Sequence, residues 1–178
     1  KLVTVGAALN QGTITPTSVF QVPYALDLPD AGGPITDFHE HGGETLTATG
    51  ILAESSNTGT VLIGQTMSDD QRYAMMRALG FGEETGVELP GESAGLLRSA
   101  DQWQGRDRYV TMFGQAYAIT AMQEASALAT IANGGVRIAP HIVKSWTNAD
   151  GTVEVPQGSQ PVQAMDASAA SQLVTMME

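Results

Sequence analysis

A lysine, a serine and an asparagine are the residues of this chain whose types and spacing could do proton-transfer chemistry. Ser55 and Asn57 lie two residues apart, directly after an apolar helical run, and Lys1 opens a second apolar helical run that ends at Leu9. A lysine one helical turn after a serine lies on the same face and could take its proton once its own pKa is lowered. The spacing therefore predicts part of a serine acyl-transfer site, with the nucleophilic serine three residues before Lys1.

Each of these residues also has a simpler interpretation. A Ser-x-Asn sequence is common in turns and helix caps, and Lys1 could be an exposed terminal lysine. His39 and His41 lie two positions apart, which would suit two metal ligands on one strand face, but no third ligand follows at a useful spacing. The histidines are therefore interpreted as residues of a solvated loop, and the sequence predicts no metal and no cofactor.

Composition excludes several classes of function. The chain has 178 residues, a formal net charge of −11 and no cysteine. Binding to nucleic acid or to an anionic lipid surface requires cationic groups, which an acidic chain without a Lys/Arg cluster does not offer. The absence of cysteine excludes disulfides, thiolate zinc sites and cysteine nucleophiles.

The elements that must position the site residues are mostly helical. Helices are predicted over 1–10, 45–54, 58–67, from a capping box at Ser68 and Gln71, from a second capping box at Thr120 and Gln123, and after Asp166. The helix after Thr120 is apolar nearly all round, which predicts burial on most sides. Strands are predicted over 18–22, 35–38, 136–146 and 152–155, with a turn at 148–151. Helix outweighs strand and the strands cluster late, which favours an α+β mixture.

Both ends of the sequence fall inside predicted helices, at Lys1 and Glu178, without capping or terminating residues. The pattern predicts an internal piece of a larger protein. No apolar run approaches the ~20 residues that span a bilayer. Any membrane anchor is therefore expected in a segment outside this one.

Four widely spaced segments carry a family resemblance. They are Ser55-Ser56-Asn57-Thr58-Gly59, then Gly80-Phe81-Gly82-x-x-Thr85-Gly86-Val87-Glu88-Leu89-Pro90-Gly91-Glu92-x-x-Gly95, then Gly114-Gln115 with Thr120-x-x-Gln123, and Ala132-Asn133-Gly134-Gly135. In this order they resemble the transpeptidase domain of class B penicillin-binding proteins, and the division-type members in particular. The resemblance covers nearly all of the chain, and the combination is far more specific than any three-residue motif. One departure is Ala116, since the family often has Gly-Gln-Gly where this chain has Gly114-Gln115-Ala116.

The resemblance implies an α+β fold of the penicillin-recognising transpeptidase type, with a helical cluster beside an antiparallel sheet. The family has three motifs, Ser-x-x-Lys, Ser-x-Asn and Lys-Thr-Gly. Lys1 matches the lysine of the first, and Ser55 and Asn57 match the second. By this alignment, residues 1–178 are the central part of the domain, and the nucleophile segment and the Lys-Thr-Gly strand are expected before Lys1 and after Glu178.

The resemblance also implies a function, the cross-linking of peptidoglycan stem peptides through a serine acyl-enzyme that β-lactams trap. Lys1 is the expected general base, Ser55 passes a proton to the leaving amine, and Asn57 binds substrate amides and helps to hold Lys1. Ser56, Gly114 and Gln115 are expected to bind substrate. Two alternatives stay open: a non-catalytic module that binds cell-wall peptide or a protein partner, and a D,D-carboxypeptidase or β-lactamase with water as acceptor.

The implied partners are stem peptides, β-lactam antibiotics, divisome proteins and a glycosyltransferase. The remainder of the same domain is a further expected partner, either in the same polypeptide or as a separate chain. The implied location is the outer face of the bacterial cytoplasmic membrane, with the anchor in a segment not present here.

Overall fold

The computed structural model describes residues 1–155 and 160–178. Within these residues, the helices are α1 (Leu2–Asn10), α2 (Ala48–Ala53), α3 (Asn57–Gly64), α4 (Asp69–Ala78), α5 (Asp107–Val110), α6 (Ala121–Ala132) and α7 (Ala167–Met176). The strands are β1 (Val19–Val22), β2 (Ala25–Leu26), β3 (Ile35–Thr36), β4 (Glu44–Thr47), β5 (Val136–Arg137), β6 (Trp146–Thr147), β7 (Val153–Glu154) and β8 (Val162–Gln163). Short 3₁₀ helices lie at Ala100–Gln102 and Thr111–Phe113.

The described strands form four antiparallel pairs, β1 with β4, β2 with β3, β5 with β8, and β6 with β7. The β1–β4 pair is the longest, and its register sets Val19 opposite Thr47 and Val22 opposite Glu44. This pair leads directly into α2, whose end carries the Ser55 turn. The first two pairs therefore form the support on which the candidate site is built.

Helix α1 lies at the centre of the main core, where it packs against α3, α4 and α7. Its Val5 and Ala8 are completely buried. Gly6 allows the close approach of α7 and of the segment before it, because a Cβ at Gly6 would lie 3.0 Å from Leu173 and 2.7 Å from Met165. The first residue of the chain is thereby fixed relative to the rest of the core.

The sequence prediction for 45–54 was partly wrong, because this segment begins as a strand and not as a helix. Residues Glu44–Thr47 pair with β1, and the helix starts only at Ala48. The Thr47 side chain accepts a hydrogen bond from Gly50 N at 3.0 Å and so acts as the N-cap. Two β-branched threonines in this segment favour the strand.

The predicted strand over 136–146 is two short strands, β5 and β6, that pair with different partners. Pro140 lies between them and cannot donate to a strand ladder. The predicted turn at 148–151 is confirmed, with β6 and β7 on its two sides. The expectation that strands cluster late was wrong, because β1 to β4 all lie before residue 48.

Helix α6 is not buried on most sides, contrary to the expectation from its apolar sequence. Gln123, Ala127, Thr130 and Ile131 face the core, whereas Leu128 is 43% exposed. Within the part of the chain that is described, the opposite face of α6 has no covering element. Its predicted capping box is confirmed, as is that of α4. Among the described residues, no helix combines the length and the apolar character needed to cross a membrane.

Candidate active site

The structure brings Lys1 and Ser55 into direct contact across 54 positions of the sequence. The Lys1 Nζ atom donates hydrogen bonds to Ser55 Oγ at 2.9 Å and to the Ser55 carbonyl oxygen at 2.6 Å. A neutral lysine amine has two N–H bonds and one lone pair. With both N–H bonds directed at Ser55, the lone pair is free to accept a proton from a third group.

Burial perturbs the acid–base chemistry of Lys1. Partial burial lowers the pKa of the Lys1 side-chain amine below its ordinary value, and the negative charge of Asp37 opposes this shift. A lowered pKa increases the fraction of the amine that is neutral at a given pH. The direction of this shift is the one that a lysine general base requires.

Ser55 lies in a tight turn between two helices. Helix α2 ends at Ala53, α3 begins at Asn57, and Ser55 has a φ of 55°. Residues other than glycine rarely adopt this left-handed conformation, and it persists only where the surrounding structure fixes it. The exposed Ser55 side chain is in this way presented at a helix junction beside Lys1.

Ser56 fixes the start of α3 through its buried hydroxyl. The Oγ atom accepts a hydrogen bond from Gly59 N at 2.8 Å and donates one to Asp37 at 2.8 Å. The residue is 5% exposed. Since its hydroxyl is engaged within the protein, the expectation that Ser56 binds substrate stays a prediction.

Among the described residues, Asn57 has no hydrogen bond to Lys1, and its predicted part in holding the lysine stays a prediction. The side-chain amide nitrogen of Asn57 donates a hydrogen bond to the carbonyl oxygen of Thr36 at 3.0 Å. Lys1 is held by the two oxygens of Ser55. The role of Asn57 in binding substrate stays a prediction.

Asp37 was not among the predicted site residues, yet it accepts several hydrogen bonds from the turn that follows Ser55. Its carboxylate accepts hydrogen bonds from Ser56, Asn57 and Thr58. Burial raises the pKa of Asp37, but bonds from Thr58, Ser56, His41 and Asn57 outweigh burial and hold that pKa below its ordinary value. No sequence pattern links a carboxylate to a motif about 20 positions later, so periodicity could not have selected Asp37.

His41 belongs to this hydrogen-bond network. Its Nδ1 atom accepts from Gly43 N at 3.2 Å, so in the neutral ring Nε2 carries the proton and donates it to Asp37 at 3.2 Å. Among the described residues, no group of three His, Asp or Glu side chains is arranged to hold a metal ion. His39 stacks edge-on against the exposed Phe38.

A cavity of about 650 Å³ opens at the contact between Lys1 and Ser55. Asn57 and Ser56 also line it, together with the segment from Asp37 to His41. Glu40, Glu44 and Glu54 add negative charge to its wall. The size suits a small substrate group or a drug-sized ligand.

Gly114 and Gln115 lie in an exposed turn and are not among the residues that line this cavity. The turn is attached to α1 through the Thr4 hydroxyl, which donates to the Met112 carbonyl oxygen at 2.6 Å. Their predicted part in substrate binding therefore stays a prediction. Ala116 has a φ of 60°, a conformation that glycine adopts without cost, which explains why a glycine suits this position in the family pattern.

The geometry can be compared with that of known proteins. The family model described as "Penicillin binding protein transpeptidase domain" matches residues 1–178. The penicillin-binding protein PbpB of Mycolicibacterium smegmatis is 37% identical over 176 residues, which are 99% of this chain and 27% of that protein. The peptidoglycan D,D-transpeptidase FtsI of Escherichia coli is 30% identical over 137 residues, which are 76% of this chain and 22% of that protein.

Solved structures of related proteins have the same fold as this chain. The crystal structure of penicillin-binding protein 3 from Mycobacterium tuberculosis, complexed with aztreonam, matches with a TM-score of 0.94 and 34% sequence identity. The match covers 98% of this chain and 39% of that one. A peptidoglycan synthetase from Bifidobacterium adolescentis matches with a TM-score of 0.93 and 37% identity over 99% of this chain. The chain spans about a quarter of the length of the curated relatives that it matches.

Proposed function

Because this chain belongs to the transpeptidase-domain family of penicillin-binding proteins, we propose that it is the central part of a peptidoglycan D,D-transpeptidase domain. The single observation that carries the proposal is the 2.9 Å hydrogen bond between Lys1 Nζ and Ser55 Oγ. It joins an amine with a lowered pKa to a hydroxyl at the wall of a cavity, which are two of the parts that acyl transfer by a serine requires. The proposed substrates are peptidoglycan stem peptides and, as mimics of them, β-lactams.

In the first half of the proposed reaction, a serine three residues before Lys1 attacks the carbonyl carbon of a D-Ala-D-Ala peptide bond. That serine would lie one helical turn from Lys1, on the same face of α1 extended backwards. Its hydroxyl proton passes to the neutral Lys1 amine as the new C–O bond forms. The proton then passes from Lys1 through Ser55 to the nitrogen of the departing D-alanine, and the C–N bond breaks.

In the second half, the amine of another stem peptide attacks the acyl-enzyme. Lys1 and Ser55 carry the proton in the reverse direction, and the serine leaves with its proton restored. The product is a new peptide cross-link. A β-lactam enters the first half in the same way, but its amide opens without a departing fragment, so the acyl-enzyme accumulates.

The experiment that tests this proposal is penicillin acylation of the complete protein. Ser55→Ala is expected to slow acylation by roughly 10²-fold or more, the scale for losing a proton-transfer partner. Lys1→Ala is expected to slow it further, because the general base itself is removed. Acylation of Ser55→Ala at the wild-type rate would remove the role of Ser55, and a fully active Lys1→Ala variant would remove the general-base assignment.

The acceptor distinguishes the transpeptidase from its nearest rivals. With stem peptide as donor and an amine present, the proposal predicts a cross-linked product, whereas a carboxypeptidase or β-lactamase would release a hydrolysed product. A non-catalytic binding module would give neither. The sequence of the complete protein distinguishes the binding module from both kinds of enzyme. Only an enzyme needs Ser-x-x before Lys1 and Lys-Thr-Gly after Glu178.

The remainder of the same domain is the proposed cover for the exposed face of α6. Met122 and Leu128 on this face are 37% and 43% exposed. The present chain matches 39% of the chain of penicillin-binding protein 3 from Mycobacterium tuberculosis, which leaves further segments of that fold to cover such a face. By family resemblance, the complete protein would be anchored at the outer face of the bacterial cytoplasmic membrane. Divisome proteins and a glycosyltransferase are its proposed partners there.

A further inference from the structure

One partly buried carboxylate accepts the hydrogen bonds that define the turn next to Ser55. The Asp37 side chain is 9% exposed. Its Oδ2 atom accepts from the Ser56 hydroxyl at 2.8 Å, the Thr58 hydroxyl at 3.1 Å and His41 Nε2 at 3.2 Å, and its Oδ1 atom accepts from the backbone N–H groups of Asn57 and Thr58. Four of these five bonds come from the three residues that directly follow Ser55.

The backbone of Asp37 is itself anchored to the adjacent strand pair. Its N–H group donates to the Tyr24 carbonyl oxygen at 3.0 Å, and the preceding residues, Ile35 and Thr36, pair with β2. The carbonyl oxygen of Thr36 accepts the side-chain amide of Asn57 at 3.0 Å. The β2–β3 pair therefore provides a fixed platform, and Asp37 attaches the turn to it.

Ser55 depends on this attachment because little else fixes its side chain. Its backbone has a φ of 55°, which the neighbouring structure must impose. Among the described residues, the Ser55 hydroxyl has Lys1 as its hydrogen-bond partner. Its distance from Lys1 is thus set by the position of the turn.

We propose that Asp37 is a positioning residue for acyl transfer: its carboxylate holds the turn from Ser55 to Thr58 so that the Ser55 hydroxyl stays within hydrogen-bond distance of the Lys1 amine. This inference rests on the proposed function and adds to it a residue outside the three motifs. Asp37 does not touch the reacting atoms. It acts through Ser56, Asn57 and Thr58.

Asp37 has a second effect on the same pair through its charge. The cavity on one side of Lys1 is lined by the titratable side chains of Asp37, His39, Glu40, His41, Glu44 and Glu54. A second, smaller cavity that Lys1 also lines has Arg72 and Tyr117 as its other titratable residues. Asp37 is the group whose charge raises the pKa of Lys1 against the effect of burial. Removing that charge would lower the pKa of Lys1 further, because only burial would then act.

The test measures the second-order rate constant for acylation of the complete protein by benzylpenicillin as a function of pH. Asp37→Asn keeps the size of the side chain and one acceptor oxygen, and Asp37→Ala removes all five bonds. We expect Asp37→Asn to slow acylation by about 10²-fold, the scale of a small misplacement at a reacting centre, and Asp37→Ala to slow it at least as much. Acylation requires neutral Lys1, so the rising limb of the pH profile should move to lower pH in both variants.

Ser68→Ala is the control, because it removes a hydrogen bond at the start of another helix, α4, outside the cavity walls. The Ser68→Ala variant should have the wild-type acylation rate, and the rising limb of its pH profile should lie at the wild-type pH. Asp37→Asn acylating at the wild-type rate with an unmoved limb would overturn the inference. A failure of Asp37→Asn to fold, or an equal loss of acylation in Ser68→Ala, would also overturn it, since Asp37 would then serve stability alone.

The two proposals fail in distinguishable ways. If the wild-type complete protein is not acylated at all, the proposed function is wrong, and the inference about Asp37 falls with it. If the wild-type protein is acylated and Asp37→Asn behaves identically, the proposed function stands and only the role of Asp37 is wrong.

Discussion

At the residue scale, Ser55 and Ala116 have backbone conformations that glycine would adopt more easily. Ser55 has a φ of 55° and Ala116 a φ of 60°. At Ser55 the hydroxyl is needed for the contact with Lys1, so a glycine would remove the group that the site uses. At Ala116 the structure gives the methyl group no comparable task. At Ser55, the contact with Lys1 therefore explains why a residue other than glycine is kept in the left-handed conformation. At Ala116, no contact explains it.

Ala116→Gly should stabilise the protein. A left-handed conformation costs a non-glycine residue about 1–2 kcal/mol, and glycine loses about 0.5–1 kcal/mol of additional backbone entropy on folding. The expected net effect is a rise of up to about 1 kcal/mol in the free energy of unfolding, measured by denaturant titration of the complete protein. Ala74→Gly, at an exposed position inside α4, is the control and should lower it by about 1 kcal/mol. A clear loss of stability in Ala116→Gly would contradict this account of the turn.

Some residues of the candidate site could be predicted from the sequence, and others could not. Lys1, Ser55 and Asn57 follow from widely spaced motifs, and the structure brings the first two into contact. Asp37 could not be found in this way, because its role is defined by hydrogen bonds to Ser56, Asn57 and Thr58 that exist only in the folded chain. A single aspartate in a turn-rich segment has too many simpler explanations to be selected from one sequence.

At the element scale, the junction between α2 and α3 depends on a glycine. A Cβ added at Gly59 would lie 2.8 Å and 2.9 Å from the two γ carbons of the buried Ile51, and 3.0 Å from Ser56 Oγ. The two distances to Ile51 are shorter than real Cβ contacts, so either Ile51 or the helix itself would have to shift. The same close approach lets Ser56 cap α3 while Ser55 faces Lys1.

Gly59→Ala is therefore expected to lower the free energy of unfolding by about 1–3 kcal/mol, the usual cost of overpacking a core. Because the shift also presses on Ser56, penicillin acylation of the complete protein should slow. Gly50→Ala is the matched control in the neighbouring helix, where the nearest atoms to the added Cβ lie at 3.5 Å. Helix propensity should then make that variant more stable by up to about 1 kcal/mol. Equal behaviour of the two variants in denaturant titration would show that the α2–α3 packing is not the limiting contact.

Local patterns predicted some elements well and others poorly, for identifiable reasons. The capping boxes at Ser68 and Thr120 were predicted because both of their hydrogen bonds lie within four residues. The start of α2 was misplaced because pairing of 44–47 with β1 is a long-range contact that overrides local helix preference. The exposure of α6 could not be predicted from its apolar sequence, because burial depends on which other segments are present.

At the scale of the whole molecule, the predicted α+β fold of the penicillin-recognising transpeptidase type is confirmed by the match to a solved member with a TM-score of 0.94. The fold brings distant parts of the chain together. Lys1, directly before α1, and Ser55, at the junction between α2 and α3, lie 54 positions apart in sequence, yet their side chains form a hydrogen bond. The central claim is that Lys1 and Ser55 act as a single proton-transfer unit and not as two independent contributors.

A double-mutant cycle tests that claim most directly. The second-order rate of penicillin acylation is measured for the complete wild-type protein, Lys1→Ala, Ser55→Ala and the double variant. Groups that act as one unit lose their function together, so the double variant should be about as slow as the slower single variant. If the two losses instead multiply, so that the double variant is slower by the product of the single factors, Lys1 and Ser55 act independently and the account is contradicted.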